Sequence, residues 1–146
     1  MFLDKLYLRK IRNIKEAVLS LSPRTNVIIG ENASGKTTIL ESIDILSRGR
    51  SFRTNKIDSL VKDGEKTLYV GATLGDKKKK LEVEKGKNRT KILIEGKEEK
   101  KQSKIAQEVA VQSVHPNSHA FIEGPPSERR AYLDWGLFLV EHNFKS

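Results

Sequence analysis

The sequence has no cysteine. Disulfide scaffolds and thiolate metal sites are therefore excluded, and a reducing cytosol suits the chain. No apolar run approaches the length of a membrane span. The opening "MFLDKLYLRKIRN" carries Asp4, Lys5, Arg9, Lys10 and Arg12, which leaves no apolar core for a secretion signal. These absences predict a soluble, cytoplasmic protein with no membrane attachment. No internal repeat is present. Acidic residues are the scarcer charge, 19 against 28 Lys and Arg, for a formal net charge of +9. That balance favours an acidic partner such as nucleic acid or nucleotide, without setting specificity. A chain of 146 residues is long enough for one domain with a core, burying roughly two thirds of its unfolded surface.

What the sequence does contain is concentrated in "VIIGENASGKTTILESI", residues 27–43. Within it, Gly30, four intervening residues and then Gly35-Lys36-Thr37 match the phosphate-binding loop pattern. The spacing has a physical reason. Glycines at 30 and 35 permit backbone angles and close approaches that a Cβ would block. Amides from Asn32 to Thr37 can then face phosphate oxygens, with the helix N-terminus adding its positive end. Lys36 supplies a cation for the β and γ phosphates, and the Thr37 hydroxyl suits Mg²⁺. A chance match in an ordinary glycine turn is the bland alternative; a strand before and a helix after argue against it.

The flanking pattern supplies that context. "FLDKLYLRKI" puts Leu6 and Leu8 on one face, and "KEAVLSLS" puts Ala17, Leu19 and Leu21 on one face, predicting two strands joined at Arg12-Asn13. "TNVIIG" predicts a short strand in a sheet buried on both faces. "KTTILESIDILSRG" has Ile39, Leu40, Ile43 and Leu46 at helical spacing, with Gly49 as a stop. Residues 50–66 read as a loop with one helical turn over Ile57 to Val61. "TLYVGATL", "KLEVEK" and "KILIEG" predict an antiparallel meander over about 67–96. "SKIAQEV" reads as a short helix and "VAVQSV" as a further buried strand. "PSERRAYLDWGLFLVEH" reads as an amphipathic helix entered at Pro126-Ser127, with Tyr132, Leu133, Leu137 and Val140 on its apolar face. Residues 76–104 hold twelve basic side chains against six acidic ones, most of the net charge. The Lys77 to Lys80 run is most simply a charged hairpin tip that keeps the meander's edge soluble. Any part it took in DNA affinity would be sequence-independent and salt-sensitive.

A phosphate loop alone leaves three machines in competition: a GTPase switch, a small-molecule kinase and an ATP-driven dimerising ATPase. "NKID" at 55–58 matches the guanine-recognition pattern, yet lies nineteen residues beyond Lys36 with no Mg-binding Asp-x-x-Gly between, so it reads as a polar loop. A kinase needs a lid with clustered arginines, for which the basic meander is a poor substitute. His115 and His119 are spaced four apart, but Pro116 favours a helix start there and no third ligand is apparent for zinc.

Four stretches together carry a family resemblance. "LYLRKIRNIKEAVLSLSP", "NVIIGENASGKTTILESI", "LSRGRSFRT" at 46–54 and "HPNSHAFIEGPPSERRAYLDW" at 115–135 resemble the N-terminal part of the RecF family. RecF proteins are bacterial recombinational repair ATPases of the ABC-type group, which also includes the chromosome-maintenance ATPases. The last stretch is far more specific than the loop, although Asn117 stands where the family has an acidic residue and Pro125 where it has a small one. The resemblance implies an α/β fold of P-loop NTPase type, the first lobe of an ABC-type ATPase head, with 1–146 as a single lobe cut from a longer chain.

The resemblance further implies that Gly30, Glu31, Asn32, Ala33, Ser34, Gly35, Lys36, Thr37 and Thr38 bind ATP, with Mg²⁺ at Thr37. Arg12 and Asn13 would lie near the nucleotide, although Arg12 also reads as a solvated turn arginine. Gln112 would be the glutamine that senses Mg²⁺ and water, or simply a polar strand end. Arg50, Arg53 and Lys56 are candidates for DNA contact, or a plain basic loop. Arg129 and Arg130 fit intramolecular or intersubunit pairing better than DNA. Implied partners are DNA, a second copy joined through ATP, and the mediator RecR; DNA damage repair, replication and the SOS response are the expected setting. The apolar strand ending in Asp-Glu and the Ser-Gly-Gly-like signature loop are not found, and "AYLDWG" has Trp135 where the catalytic glutamate would stand. Negligible hydrolysis by this chain alone is therefore expected. A nucleotide-dependent DNA-binding or interaction module without catalysis is the nearest alternative.

Overall fold

The computed structural model describes residues 2–54, 56–75, 78–114 and 124–140, without the side chains of residues 128, 138 and 139. The chain divides into two compact units, residues 1–111 and 112–146.

The first unit is built on one antiparallel sheet. β1 (Leu3–Ile11) and β2 (Ile14–Ser20) form the hairpin that the alternating pattern predicts, turning at Arg12-Asn13. β3 (Thr67–Leu74), β4 (Lys80–Gly86) and β5 (Thr90–Ile94) are the meander. A short β6 (Lys97–Glu99), absent from the sequence reading, closes a tight turn at Glu95-Gly96, both at positive φ, the geometry that two-residue hairpins favour. Hairpin and meander are one sheet, because β1 pairs with β3; the order is β2-β1-β3-β4-β5-β6.

Strict alternation makes one face of this sheet apolar: Leu6, Leu8, Leu68, Val70, Ala72, Leu81, Val83 and Ile92 are buried. Helix α1 (Lys36–Arg48) covers that face through Ile45 and Leu46, and α2 (Ser103–Glu108) adds Ile105. Gly49 ends α1 in the left-handed conformation (φ 71°), as a helix stop requires. A 3-10 turn, Ile57–Ser59, falls within the helical turn expected at 57–61. In the second unit, α3 (Pro126–Val140) begins at the predicted Pro126.

Three expectations need correction. Residues 26–30 belong to no sheet, and Val27 and Ile29 are exposed, at 76% and 88%. Residues 109–114 likewise form no strand, although Val109 is buried in the core. β-branched residues favour extended backbone, but a strand exists only through its neighbours, and every strand among the described residues is already in the antiparallel sheet. Third, the apolar stripe predicted for α3 is not a buried face, and that of α1 holds only in part: Leu46 is buried and Ile39 and Ile43 pack against the core. Leu40 of α1 is exposed, whereas Thr38, Glu41, Ser42, Asp44 and Ser47 are buried beside Ile45 and Leu46. On α3, Tyr132, Leu133, Leu137 and Val140 are all exposed.

Candidate functional site

The segment between Gly30 and Lys36 folds as a tight loop entering α1. Ala33 (φ 64°) and Gly35 (φ 100°) both take left-handed backbone, which winds the chain back on itself. A Cβ at Gly30 would lie 2.7 Å from Ser34 Oγ, so a larger residue there would have to push that hydroxyl aside. Gly35 is the N-cap of α1 and offers no side-chain hydrogen bond. First-turn amides of a helix have no intrahelical acceptor, so this uncapped end presents donors and a positive dipole end. Lys36 arches over the loop, its Nζ donating to the carbonyls of Gly30 and Glu31, each at 2.6 Å. Loop, uncapped helix end and lysine make a cradle of donors and positive charge sized by glycines, which fits a phosphate group. Thr37 is exposed and Thr38 is buried beside it.

The β1–β2 turn braces this loop from the side. Asn13 Nδ2 donates to the Ala33 carbonyl at 2.9 Å, at the residue whose backbone is left-handed. The Thr38 hydroxyl points back to Asn13 Oδ1 at 3.5 Å. Arg12, also at positive φ (49°), is pinned by its amide to the Leu60 carbonyl at 2.8 Å.

The Arg12 guanidinium turns to α1, where Nε and Nη2 donate to the two carboxylate oxygens of Glu41 at 2.7 and 2.8 Å. Glu41 is wholly buried and also accepts from Ser51 Oγ at 2.5 Å, with Arg53 Nη1 at 3.9 Å. Such a two-pronged pair matches guanidinium to carboxylate geometry and is the strong form of an ion pair. Sequence reasoning missed Glu41 and Ser51. The signal was available: Glu41 lies four residues before Ile45, one helical turn, and so on its face.

The remaining sequence candidates are scattered. Arg50, Arg53 and Lys56 are exposed after α1, and the Arg53 amide donates to Ser51 Oγ at 3.0 Å. Gln112 is exposed in the second unit. Asp134 of "AYLDWG" lies inside α3 and not at a strand end. Arg129 donates to the Gly124 carbonyl at 3.1 Å. Of the lysine run, Lys79 pairs with Glu108 at 2.6 Å and Lys80 with Glu82 at 3.2 Å. Lys77, Asn55 of "NKID", His115, Asn117 and His119 lie outside the described residues. Among the described residues there is no group of three or more His, Cys, Asp or Glu able to hold a metal, and no helix long and apolar enough to cross a membrane.

An α/β unit in which a glycine loop runs into a sheet-packed helix, with the lysine folded over its own loop, is the nucleotide-binding lobe of a P-loop ATPase head. The chain belongs to the AAA domain family, whose model matches residues 5–123. Its likeness to RecF runs the whole length. It is 35% identical over 150 residues to the DNA replication and repair protein RecF of Stutzerimonas stutzeri and 39% identical over 147 to that of Pseudoalteromonas translucida. These alignments take in 100% and 99% of this chain and 40% of each relative, so the chain spans about two fifths of the curated relatives' length. A solved structure of the recombination mediator protein RecF with ATP in the RecFOR pathway superposes with a TM-score of 0.87 at 32% identity, covering 97% of this chain and 40% of that one. The SMC head domain from Thermotoga maritima shares the fold, with a TM-score of 0.60 at 20% identity over 75% of this chain and 43% of that one.

Proposed function

We propose that this chain is an ATP-binding lobe of a RecF-like DNA repair protein. The phosphate loop carries the reading: Lys36 over the Gly30 and Glu31 carbonyls, with uncapped α1 behind it. Gly30, Glu31, Asn32, Ala33, Ser34, Gly35, Lys36, Thr37 and Thr38 hold the triphosphate. Asn13 and Arg12 sit beside it as braces, since their side chains contact the loop and Glu41. Mg²⁺, held at the Thr37 hydroxyl, would screen the phosphate charge. RecF–ATP as a structural neighbour supports the choice of adenine nucleotide.

The finer reading concerns the whole protein. Residues 1–146 form one lobe of the head, and ATP joins two copies. DNA is bound through the basic surface, with Arg50, Arg53 and Lys56 in the segment after α1. Such a protein works in the cytoplasm and passes gapped or junction DNA to a RecR-type mediator for recombinase loading. The RecF relatives and the basic charge support this reading. This chain alone turns over ATP negligibly.

The DNA half is tested by fluorescence anisotropy with a short gapped duplex, comparing the chain with its Arg50→Ala/Arg53→Ala/Lys56→Ala variant. The expected result is weaker binding in the variant and a salt slope reduced by about two to three contacts. Equal affinity and equal slope would place the DNA surface elsewhere.

A further inference from the structure

A carboxylate buried out of water is stable only where donors surround it. Glu41 meets that condition with donors from two separate segments, the β1–β2 turn through Arg12 and the segment after α1 through Ser51. The residue next to Arg12, Asn13, holds the Ala33 carbonyl inside the phosphate loop. The residue two beyond Ser51 is Arg53, whose amide donates to the Ser51 hydroxyl and whose guanidinium lies 3.9 Å from the same carboxylate. A continuous path thus runs from Ala33 to Asn13 by hydrogen bond, along the chain to Arg12, and by polar contacts through Glu41 and Ser51 to Arg53.

The geometry points to Glu41 as a positioning residue that transmits the state of the phosphate loop to the segment carrying Arg53. It rests on the reading that the loop takes a nucleotide phosphate. Phosphate entering the cradle competes for Lys36 and reorients the amides around Ala33. Asn13 is fixed to that carbonyl, so the turn carrying Arg12 moves with it. Arg12 grips both oxygens of Glu41, so a change in its pose reaches the hydroxyl that caps the Arg53 amide. Glu41 itself contributes nothing to holding phosphate; it lies five residues past Lys36, roughly one and a half turns along α1, and is fully buried. Its consequence is directional: nucleotide alters the backbone at 51–54, and with it the placement of the candidate DNA-contacting Arg53.

Hydrogen exchange of the chain with and without saturating ATP tests this, comparing the unmodified protein with Glu41→Gln and Ser51→Ala. In the unmodified protein ATP is expected to slow exchange both in residues 30–37 and at the Arg53 amide, the latter by about tenfold, within the ordinary range of coupling between sites. In each variant the protection at 30–37 and the affinity for ATP persist, while the ATP-dependent change at Arg53 falls below about twofold. A purely structural role would leave that remote response intact in any variant that folds. Should Glu41→Gln fail to fold, Ser51→Ala decides alone, since it leaves the Arg12–Glu41 pair in place. A response at Arg53 that survives in the folded variants overturns the coupling. So does protection of 30–37 in the unmodified protein with no change at 51–54, an outcome that leaves the nucleotide site standing. No ATP-dependent change anywhere removes both.

Discussion

Replacing Arg12 with alanine isolates one buried charge. The substitution removes both donors, at 2.7 and 2.8 Å, from a carboxylate with no solvent exposure. Losing one partner of a buried pair costs about 3–5 kcal/mol, because the other charge stays desolvated. Here the Ser51 hydroxyl remains at 2.5 Å and the Arg53 guanidinium at 3.9 Å, and the Arg12 side chain is itself 25% exposed. The expected loss is therefore about 2–3 kcal/mol, a large share of the roughly 5–15 kcal/mol that holds a domain folded. For a chain of this size it corresponds to a fall in Tm of about 6–12 °C. Urea unfolding followed by far-UV circular dichroism reads it as a lower midpoint at unchanged slope. Adding Glu41→Met to Arg12→Ala should recover part of the loss, because no stranded charge remains. A shift of less than about 0.5 kcal/mol in the single variant would refute the reasoning, showing that Glu41 is satisfied without Arg12.

Gly71 leaves space for a ring: a Cβ there would lie 2.6 Å from the Tyr69 hydroxyl and 3.1 Å from its Cζ. Gly71→Ala should displace that ring and cost about 1–3 kcal/mol by overpacking, measurable in the same urea assay. Burial, and then the 2.6 Å hydrogen bond to Glu82, pushes the Tyr69 phenol above its ordinary range. The fold therefore favours the protonated phenol. Its stabilisation is complete below about pH 10 and is lost as pH rises through the folded-state value. Tyr69→Phe should flatten the alkaline decline in stability, read from midpoints against pH. Burial has the opposite consequence at Lys85, whose ammonium is pulled below its ordinary range where it reaches the Gly49 carbonyl. Its penalty is relieved as pH rises from the lowered value towards about 10.4, so stability should climb there and lose that climb in Lys85→Met.

Periodicity was sufficient wherever local pattern and packing agree. Alternation placed Leu6, Leu8, Val70 and Val83 inward, and Gly49 stopped α1 where its left-handed backbone needs no Cβ. The loop was legible from spacing alone, because glycine and lysine positions encode backbone geometry directly. Two kinds of feature were not. "VIIG" has strand-forming residues but pairs with none of the described strands, and pairing is a property of neighbours that a single segment does not carry. The inner face of α1 is mixed, with Glu41, Ser42 and Asp44 inside beside Ile45 and Leu46 and Leu40 outside, so counting apolar residues alone misplaced Leu40 and overlooked the polar positions. Helical spacing to Ile45 could have turned Glu41 inward, but not named its partners Arg12 and Ser51, which lie 29 and 10 residues away in sequence.

The central claim, that the loop at 30–37 binds nucleotide triphosphate, is tested most directly by calorimetric titration of the chain with ATP, with GTP in parallel and Lys36→Ala as control. Lys36 Nζ lies on the loop's own carbonyls, so its loss removes a charge-assisted contact to phosphate while leaving α1 and the core intact. Saturable ATP binding stronger than GTP binding is expected, weakened about 10- to 100-fold in the variant, as befits a hydrogen bond to charge. Equal affinity of the unmodified chain and a folded Lys36→Ala variant for ATP would contradict the claim.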